Sequence, residues 1–352
     1  MPVSSRPARF TRPAVALAAG TLLAALLGGC ATGGAASGGA ADEPAAAGAP
    51  SAFPIEIESA LGTAVIEAQP TRVVTIGQGS ADTVFALGTT PVGVETDDWG
   101  GDTDGFQPWF REAVEEAGET LPATFDVYPE VDIDAIVQLE PDLILAPQSG
   151  LTQADFDVLN DLAPTVAFPG QAWSTAWDEQ IEIIGRALGE PAAATTLIEG
   201  IEATLATAAA DNPGFAELTF AYVYTGDPGT LGVFQASEPR AAILEKLGLR
   251  IDPVIADLPV TDGTASSIIG IERADLLADT DLLFSWFSDD AQQETIEAQP
   301  LYAQIPAVQR GSDVVSYDKP FVTASSLITP LTVPWSLDTY LPMIRDAAAR
   351  VQ

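Results

Sequence analysis

From Arg72 onward, short apolar runs alternate with stretches whose apolar positions recur at helical spacing. Arg72-Val-Val-Thr-Ile-Gly77 predicts a strand, and Ala81 to Gly88 a helix that Ser80 caps and Gly88 stops. Pro91 to Glu95 predicts a second strand, followed by a long polar loop. Asp132-Ile-Asp-Ala-Ile-Val-Gln-Leu139 then reads as a helix and Asp142-Leu-Ile-Leu-Ala146 as a buried strand. Thr152 to Leu162 follows as a helix and Thr165 to Phe168 as a strand. The second half repeats this grammar: a strand at Leu218 to Tyr224, a helix at Glu238 to Leu247 and part of one at Ala274 to Leu277. Strands at Asp281 to Trp286 and Asp313 to Tyr317 close the series. Strands that alternate with helices argue for parallel pairing in βα units.

Between the halves, Trp173 to Ala210 is helical in pattern almost throughout. Gly189 ends one helix, and Pro191 opens the next at its first turn, where a missing N–H costs nothing. Leu197, Ile198, Ile201 and Leu205 then fall at helical spacing. About 20 residues at 1.5 Å each span roughly 30 Å. The expected fold is therefore α/β: two lobes with mainly parallel sheets flanked by helices, joined by one long spine helix, with a ligand cleft between the lobes. The expected bounds are a first lobe at 53–190, the spine at 191–211 and a second lobe at 212–352. So stiff a connection restricts how far the lobes can close.

The N-terminal pattern is different. Arg6, Arg9 and Arg12 stand in a stretch without acidic residues, and Ala14 to Gly29 is apolar or small apart from Thr21. That core is short for a membrane span, which takes roughly 20 residues, and suits a signal peptide at 1–29. Its end, Leu27-Gly28-Gly29-Cys30, resembles the bacterial lipobox: an aliphatic residue, two small ones, then the cysteine that receives lipid. A retained single-span anchor is the alternative. Cys30 is the only cysteine, so no intramolecular disulfide and no multi-cysteine metal site can form. Attachment of two or more acyl chains there, palmitate among them, would hold the protein stably on the outer face of the cytoplasmic membrane. Residues 31–50, nearly all Ala, Gly, Ser and Pro, cannot bury enough apolar surface to fold and read as a tether. Together 30–52 would let the folded body reach away from the membrane.

Charge narrows the function. The chain carries 50 acidic and 14 basic residues, a formal net charge of −36, and three of those basic residues lie in the leader. Such a surface rejects nucleic acid and disfavours anionic ligands unless a local basic pocket exists. Much of this charge also serves solubility. There is no histidine, which excludes His-rich zinc or manganese sites and axial His ligation of haem. Serine hydrolase chemistry lacks its usual base, and a Ser-Lys variant would have only Lys246 or Lys319 to use. Paired carboxylates can always be found among so many acids and carry no information. Gly77-Gln-Gly79 after a strand is an incomplete dinucleotide fingerprint and reads as a turn that brings backbone near a cleft.

Several segments in order resemble one family. Arg72-Val-Val-Thr-Ile-Gly77 leads into Ala81-Asp-Thr-Val-Phe-Ala-Leu-Gly88 and Pro91-Val-Gly-Val94, then Val131 to Leu145. Ser237-Glu-Pro-Arg-Ala-Ala-Ile-Leu-Glu-Lys-Leu-Gly248, Pro300 to Val308 and Gly311-Ser-Asp-Val-Val315 follow in the second half. In this order, behind a lipobox, they are similar to the iron–siderophore and cobalamin class of substrate-binding lipoproteins that feed ABC importers. The resemblance implies a binding protein without catalytic residues or a cofactor. It implies a ferric chelate held between the lobes, delivery to a permease driven by a cytoplasmic ATPase, and a monomer in solution. It also implies one acidic docking residue per lobe: Asp82, where the family more often has Glu, and Glu238, with Glu245 as the alternative. Cobalamin is the other cargo of this class, and a lipid-anchored cell-wall hydrolase is the competing reading.

The expected ligand residues follow from position. Trp99 lies in the loop after the second strand, Trp173 after the Thr165–Phe168 strand, Tyr224 and Trp286 at second-half strand ends, and Phe287 beside Trp286. Ligands of open α/β sheets bind beyond the carboxyl ends of strands, and rigid aromatics suit a bulky chelate. Two or three of the five are expected to touch ligand. Arg240, after the Ser237-Glu-Pro turn, is placed either to reach a chelate oxygen or to form a surface salt bridge. Bare ferric ion held by carboxylates and tyrosines stays open but departs from the family. With only two lysines and no basic cluster, a neutral or cationic hydroxamate chelate is expected over an anionic tricatecholate.

Overall fold

The computed structural model describes residues 53–226, 229–261 and 264–351, all within one compact unit. The expected signal peptide, the lipid attachment expected at Cys30 and the expected tether lie outside the described residues. Among the described residues no helix is long and apolar enough to cross a membrane.

A hairpin of β1 (Ile55–Glu58) and β2 (Thr63–Ile66) leads into the first lobe. The order is then β3 (Val73–Thr75), α1 (Ser80–Ala86), β4 (Gly93–Glu95), α2 (Pro108–Glu116), β5 (Ala123–Phe125), α3 (Ile133–Gln138), β6 (Leu143–Leu145), α4 (Gln153–Leu162) and β7 (Thr165–Val166). All four pairings in the sheet β5-β4-β3-β6-β7 are parallel. Its central strands β3 and β6 are buried on both faces, which is why they read as unbroken apolar runs. Helix α1 starts one residue earlier than expected: Gly79, in the left-handed region, is its N-cap, and Ser80 is its first residue. The loop expected after β4 holds two elements, α2 and β5. Pro108 sets the first turn of α2, and Trp109, Phe110 and Val114 bury its face. Trp109, Phe110, Ala113 and Val114 fall at helical spacing, a periodic signal that the reading of this stretch as a loop passed over.

One long helix, α6 (Pro191–Asp211), joins the lobes, and α5 (Trp177–Ala187) packs beside it on α1 and β1 of the first lobe. Helices α5 and α6 approach so closely that a Cβ on Gly185 would lie 2.3 Å from the Cβ of Ala194. Ala194, Ile201, Leu205 and Ala208 are the buried stripe of α6 and enter the largest core.

The second lobe runs β8 (Thr219–Tyr224), β9 (Thr230–Phe234), α7 (Pro239–Lys246), β10 (Arg250–Ile251), α8 (Pro253–Ala256), β11 (Ser266–Gly270), β12 (Leu282–Trp286), α9 (Asp290–Glu297), α10 (Pro306–Arg310), β13 (Asp313–Ser316), α11 (Lys319–Ala324) and α12 (Thr332–Ala348). Its sheet is mixed. β8 pairs in parallel with β12 and β10, and β12 with β13, whereas β9 is antiparallel to both β8 and β11. Ala274 to Leu277, expected as α-helix, belongs to a 3₁₀ segment at Ile271–Leu277. After α11 the chain turns back to the first lobe, where the Trp335 ring of α12 lies 5.6 Å from Trp109.

Candidate functional site

The carboxyl ends of β3 and β4 open into a cavity of about 290 Å³, closed on its far side by Thr323 of α11 and by Leu327. Backbone geometry shapes its floor. Gly77 has φ 88°, and a Cβ there would meet the Gln148 carbonyl oxygen at 2.2 Å. The Gly77 N–H donates to Glu95 Oε2 at 2.7 Å, tying the turn after β3 to the end of β4. The loop that follows is braced by its own carboxylates. Asp97 accepts from the N–H groups of Trp99 and Gly100 at 2.8 and 2.9 Å. Arg111 of α2 pairs with Asp102 and, at 2.6 Å, with Asp104.

This bracing holds Trp99 at the mouth of the cavity. The ring is 39 % exposed and meets Trp286, from the end of β12, edge to face at 5.8 Å. The Lys319 ammonium lies 5.6 Å from the Trp99 ring centre. The structure therefore brings together two of the expected ligand residues, one from each lobe. The indole N–H of Trp286 is buried without an acceptor among the described residues.

The other expected residues go elsewhere. Phe287 is a correction: it is 0 % exposed and packed in the core on the opposite face of β12. Neighbouring strand residues point to opposite faces, so Trp286 and Phe287 cannot share a cleft. Tyr224 stacks on Phe234 at 4.8 Å and shares a hydrogen bond with Ser266 at 3.0 Å. Arg240 lies 5.0 Å from the same Phe234 ring and forms an ion pair with Glu238, as the salt-bridge alternative expects. Trp173 is exposed in the left-handed region, with its N–H donating to the Ser149 carbonyl and its indole against Gly150. It does not line the cavity.

Both expected docking carboxylates are also corrections. Asp82 is 4 % exposed; it accepts from Thr329 Oγ1 at 2.6 Å and Trp109 Nε1 at 3.0 Å. Burial pushes its pKa up to about 6 against those two hydrogen bonds. Glu238 is 7 % exposed; it caps α7 through the Arg240 N–H, and burial raises its pKa against the Arg240 charge. Neither carboxylate is presented to a protein surface. Glu245, the alternative on the second lobe, is exposed.

The site also holds residues that the sequence reading passed over. Glu95, taken only as a strand end, lines the cavity; burial pushes its pKa up to about 6, with the charge of Asp97 adding to the rise. Gln107, Phe106 and Phe110 at the start of α2 line it too, as does Tyr128, which is 84 % exposed. The Gln-Pro pair before two aromatics is the signal that marks this helix start. No basic residue lines the cavity among the described residues. Nor do these residues contain a group of three or more acidic, His or Cys side chains placed to hold a metal ion.

Comparison with known proteins accords with this geometry. A family model described as periplasmic binding protein matches residues 73–320. The chain belongs to that family. It is similar to the ferric enterobactin-binding periplasmic protein FepB of Escherichia coli, 26 % identical over 73 % of this chain and 82 % of FepB. It also resembles the probable siderophore-binding lipoprotein YfiY of Bacillus subtilis, 28 % identical over 38 % of each chain, so it spans well under half of that relative. The crystal structure of Streptococcus pneumoniae PiaA in complex with ferrichrome superposes with a TM-score of 0.75 at 27 % identity, covering 85 % of this chain and all of PiaA. The α/β fold, with one large sheet in each lobe, is the fold of these binding proteins.

Proposed function

We propose that the chain is the extracytoplasmic substrate-binding component of an ABC importer that captures a ferric siderophore and delivers it to a membrane permease. The observation that carries this reading is the Trp99–Trp286 pair, which bridges the lobes over a cavity at the carboxyl ends of first-lobe strands. A relative named for ferric enterobactin and a similar structure solved in complex with ferrichrome support the cargo class. The charge selects within it. Asp82, Glu95, Asp97 and Asp98 are the charged lining residues, so a neutral or cationic hydroxamate chelate fits better than an anionic tricatecholate. Capture needs no chemistry: the indoles desolvate the chelate's shell, a few polar groups orient it, and the spine helix α6 keeps closure small. On the second lobe, exposed Glu245 is the docking carboxylate, since Glu238 is buried. Attachment through lipid on Cys30 fits the lipobox, and a relative named as a lipoprotein supports it.

The test is to titrate residues 53–352 with ferric hydroxamates, ferric catecholates and cobalamin while following tryptophan emission, corrected for absorption by the ligand. Saturable quenching by a hydroxamate is expected, and Trp99→Phe together with Trp286→Phe should remove most of it. Quenching by a catecholate or cobalamin alone would overturn the substrate class. No quenching and no calorimetric signal across the panel would overturn the binding role itself.

A further inference from the structure

The cavity beneath Trp99 is walled by chemistry that one kind of ligand group satisfies. Five aromatics line it, Trp99, Phe106, Trp109, Phe110 and Tyr128, and every charged lining residue is acidic. The acceptors are only partly used. Glu95 gives Oε2 to the Gly77 N–H, and no described residue donates to its other oxygen. Gln107 Oε1 is buried without a partner. Asp82 and Asp97 each already accept two hydrogen bonds on one oxygen, from Thr329 and Trp109 and from the loop backbone, where Glu95 accepts one. Buried acceptors are almost always paired, so Gln107 Oε1 calls for a donor that binds from outside, and the half-buried Glu95 carboxylate is open to the same donor.

A metal ion is not that donor, because the described residues offer no set of three or more ligands for one. Aromatic faces beside carboxylates hold organic cations well. The Lys319 ammonium over Trp99 illustrates the preference within this chain. At about 290 Å³ the cavity is at or below the lower end of pockets that enclose a whole drug-sized ligand, roughly 300–1,000 Å³. It takes an arm of a larger molecule whose body rests on Trp99 and Trp286.

We infer that this cavity is a subsite for a protonated primary amine on an alkyl arm of the ferric chelate, with Glu95 and Gln107 as its acceptors. The inference rests on the proposed reading of the cleft as a chelate site, and it makes Glu95 a specificity-determining residue. Groups facing Glu95 are Asp97 and Asp98 on its own loop, Asp82 on α1, Tyr128 after β5 and, beside Trp99, Lys319 of α11. Lys319 is the only cation among them, and α2 contributes no charged lining residue.

The test compares two ferric complexes of one linear trihydroxamate, one with a free terminal amine and one with that amine acetylated. By calorimetry at pH 7.5 the amine form should bind about tenfold more tightly, the size of one charge-assisted hydrogen bond. Glu95→Gln keeps an acceptor for the Gly77 N–H and should bring the ratio close to one. In the unaltered protein the ratio should also shrink as pH falls through about 6, where Glu95 takes up a proton. Equal affinities in the unaltered protein overturn the subsite while leaving chelate binding intact. Saturation by pentylamine alone, with no discrimination between the chelates, assigns the cavity to a free organic cation and overturns it too. If neither chelate binds, the proposed function fails and the subsite with it.

Discussion

Asp82 sits where the first lobe meets the returning C-terminal segment, and its environment favours the neutral acid. Burial pushes its pKa from 3.8 to about 6, although Thr329 and Trp109 both donate to it. A folded-state pKa above the unfolded value means that folding favours the bound proton. The stabilising effect is fully present below about 3.8 and is lost as pH rises through about 6. A shift of about two pH units corresponds to roughly 3 kcal/mol. The protein should therefore gain stability between pH 7.5 and 5, and Asp82→Asn, which keeps an acceptor for both donors, should flatten part of that gain. Urea midpoints at the two pH values read the difference directly. An unchanged pH slope in Asp82→Asn would show that the carboxyl titrates normally. Asp82 was legible in the sequence as a first-turn residue of a helix, but its partner Thr329 stands 247 positions away, and only the folded chain joins them. Trp286 and Phe287 were closer to legible. The period of two along a strand assigns one to the cleft and one to the core, and reading both as cleft residues set that rule aside.

Helices α5 and α6 were readable because their signals are local. Gly189 ends the first with φ 77°, Pro191 opens the second, and Ile201 and Leu205 fall on its buried side. Strands β9 and β11 were not readable, since antiparallel pairing with distant partners decides them: Leu231 faces Ile269, and Val233 faces both Ser267 and Val223. The missed α2 matters more, because Trp109, Phe110 and Gln107 supply one wall of the site. One residue of α6 opposes its own helix. Gly200 lies in the middle of the 21-residue element, exposed and with nothing within 4 Å of where a Cβ would stand. Gly200→Ala should stabilise the protein by about 0.5–1 kcal/mol by removing backbone freedom from the unfolded chain. If α6 sets how far the lobes move, chelate affinity should stay within about twofold, because the substitution touches neither lobe's cleft wall. A lower thermal midpoint in Gly200→Ala would instead mean that this helix relies on a bend at the glycine.

A net charge of −36 acts on every ligand that approaches the molecule. At low ionic strength the potential of such a surface reaches beyond the cleft, because the screening length is about 30 Å at 0.01 M and about 10 Å at 0.1 M. Within the cavity the field has the same sign, since its charged lining residues, Asp82, Glu95, Asp97 and Asp98, outnumber the single Lys319 ammonium placed beside Trp99. Steering and specificity then point the same way: a cationic chelate is drawn in, and an anionic one is repelled before any contact forms. This separates the overall charge from the local site, because steering acts on the association rate and contacts act mainly on dissociation. Stopped-flow tryptophan quenching should give an association rate for a cationic ferric hydroxamate that falls severalfold between about 10 and 300 mM salt. For a neutral acetylated analogue the rate should barely change. If both chelates associate at the same salt-independent rate while differing in dissociation, the acidic surface serves solubility alone, and selection for charge lies wholly in the cavity around Glu95. If both rates and dissociation are equal, charge selects nothing here, and the aromatic pair across the lobes is the whole of the recognition.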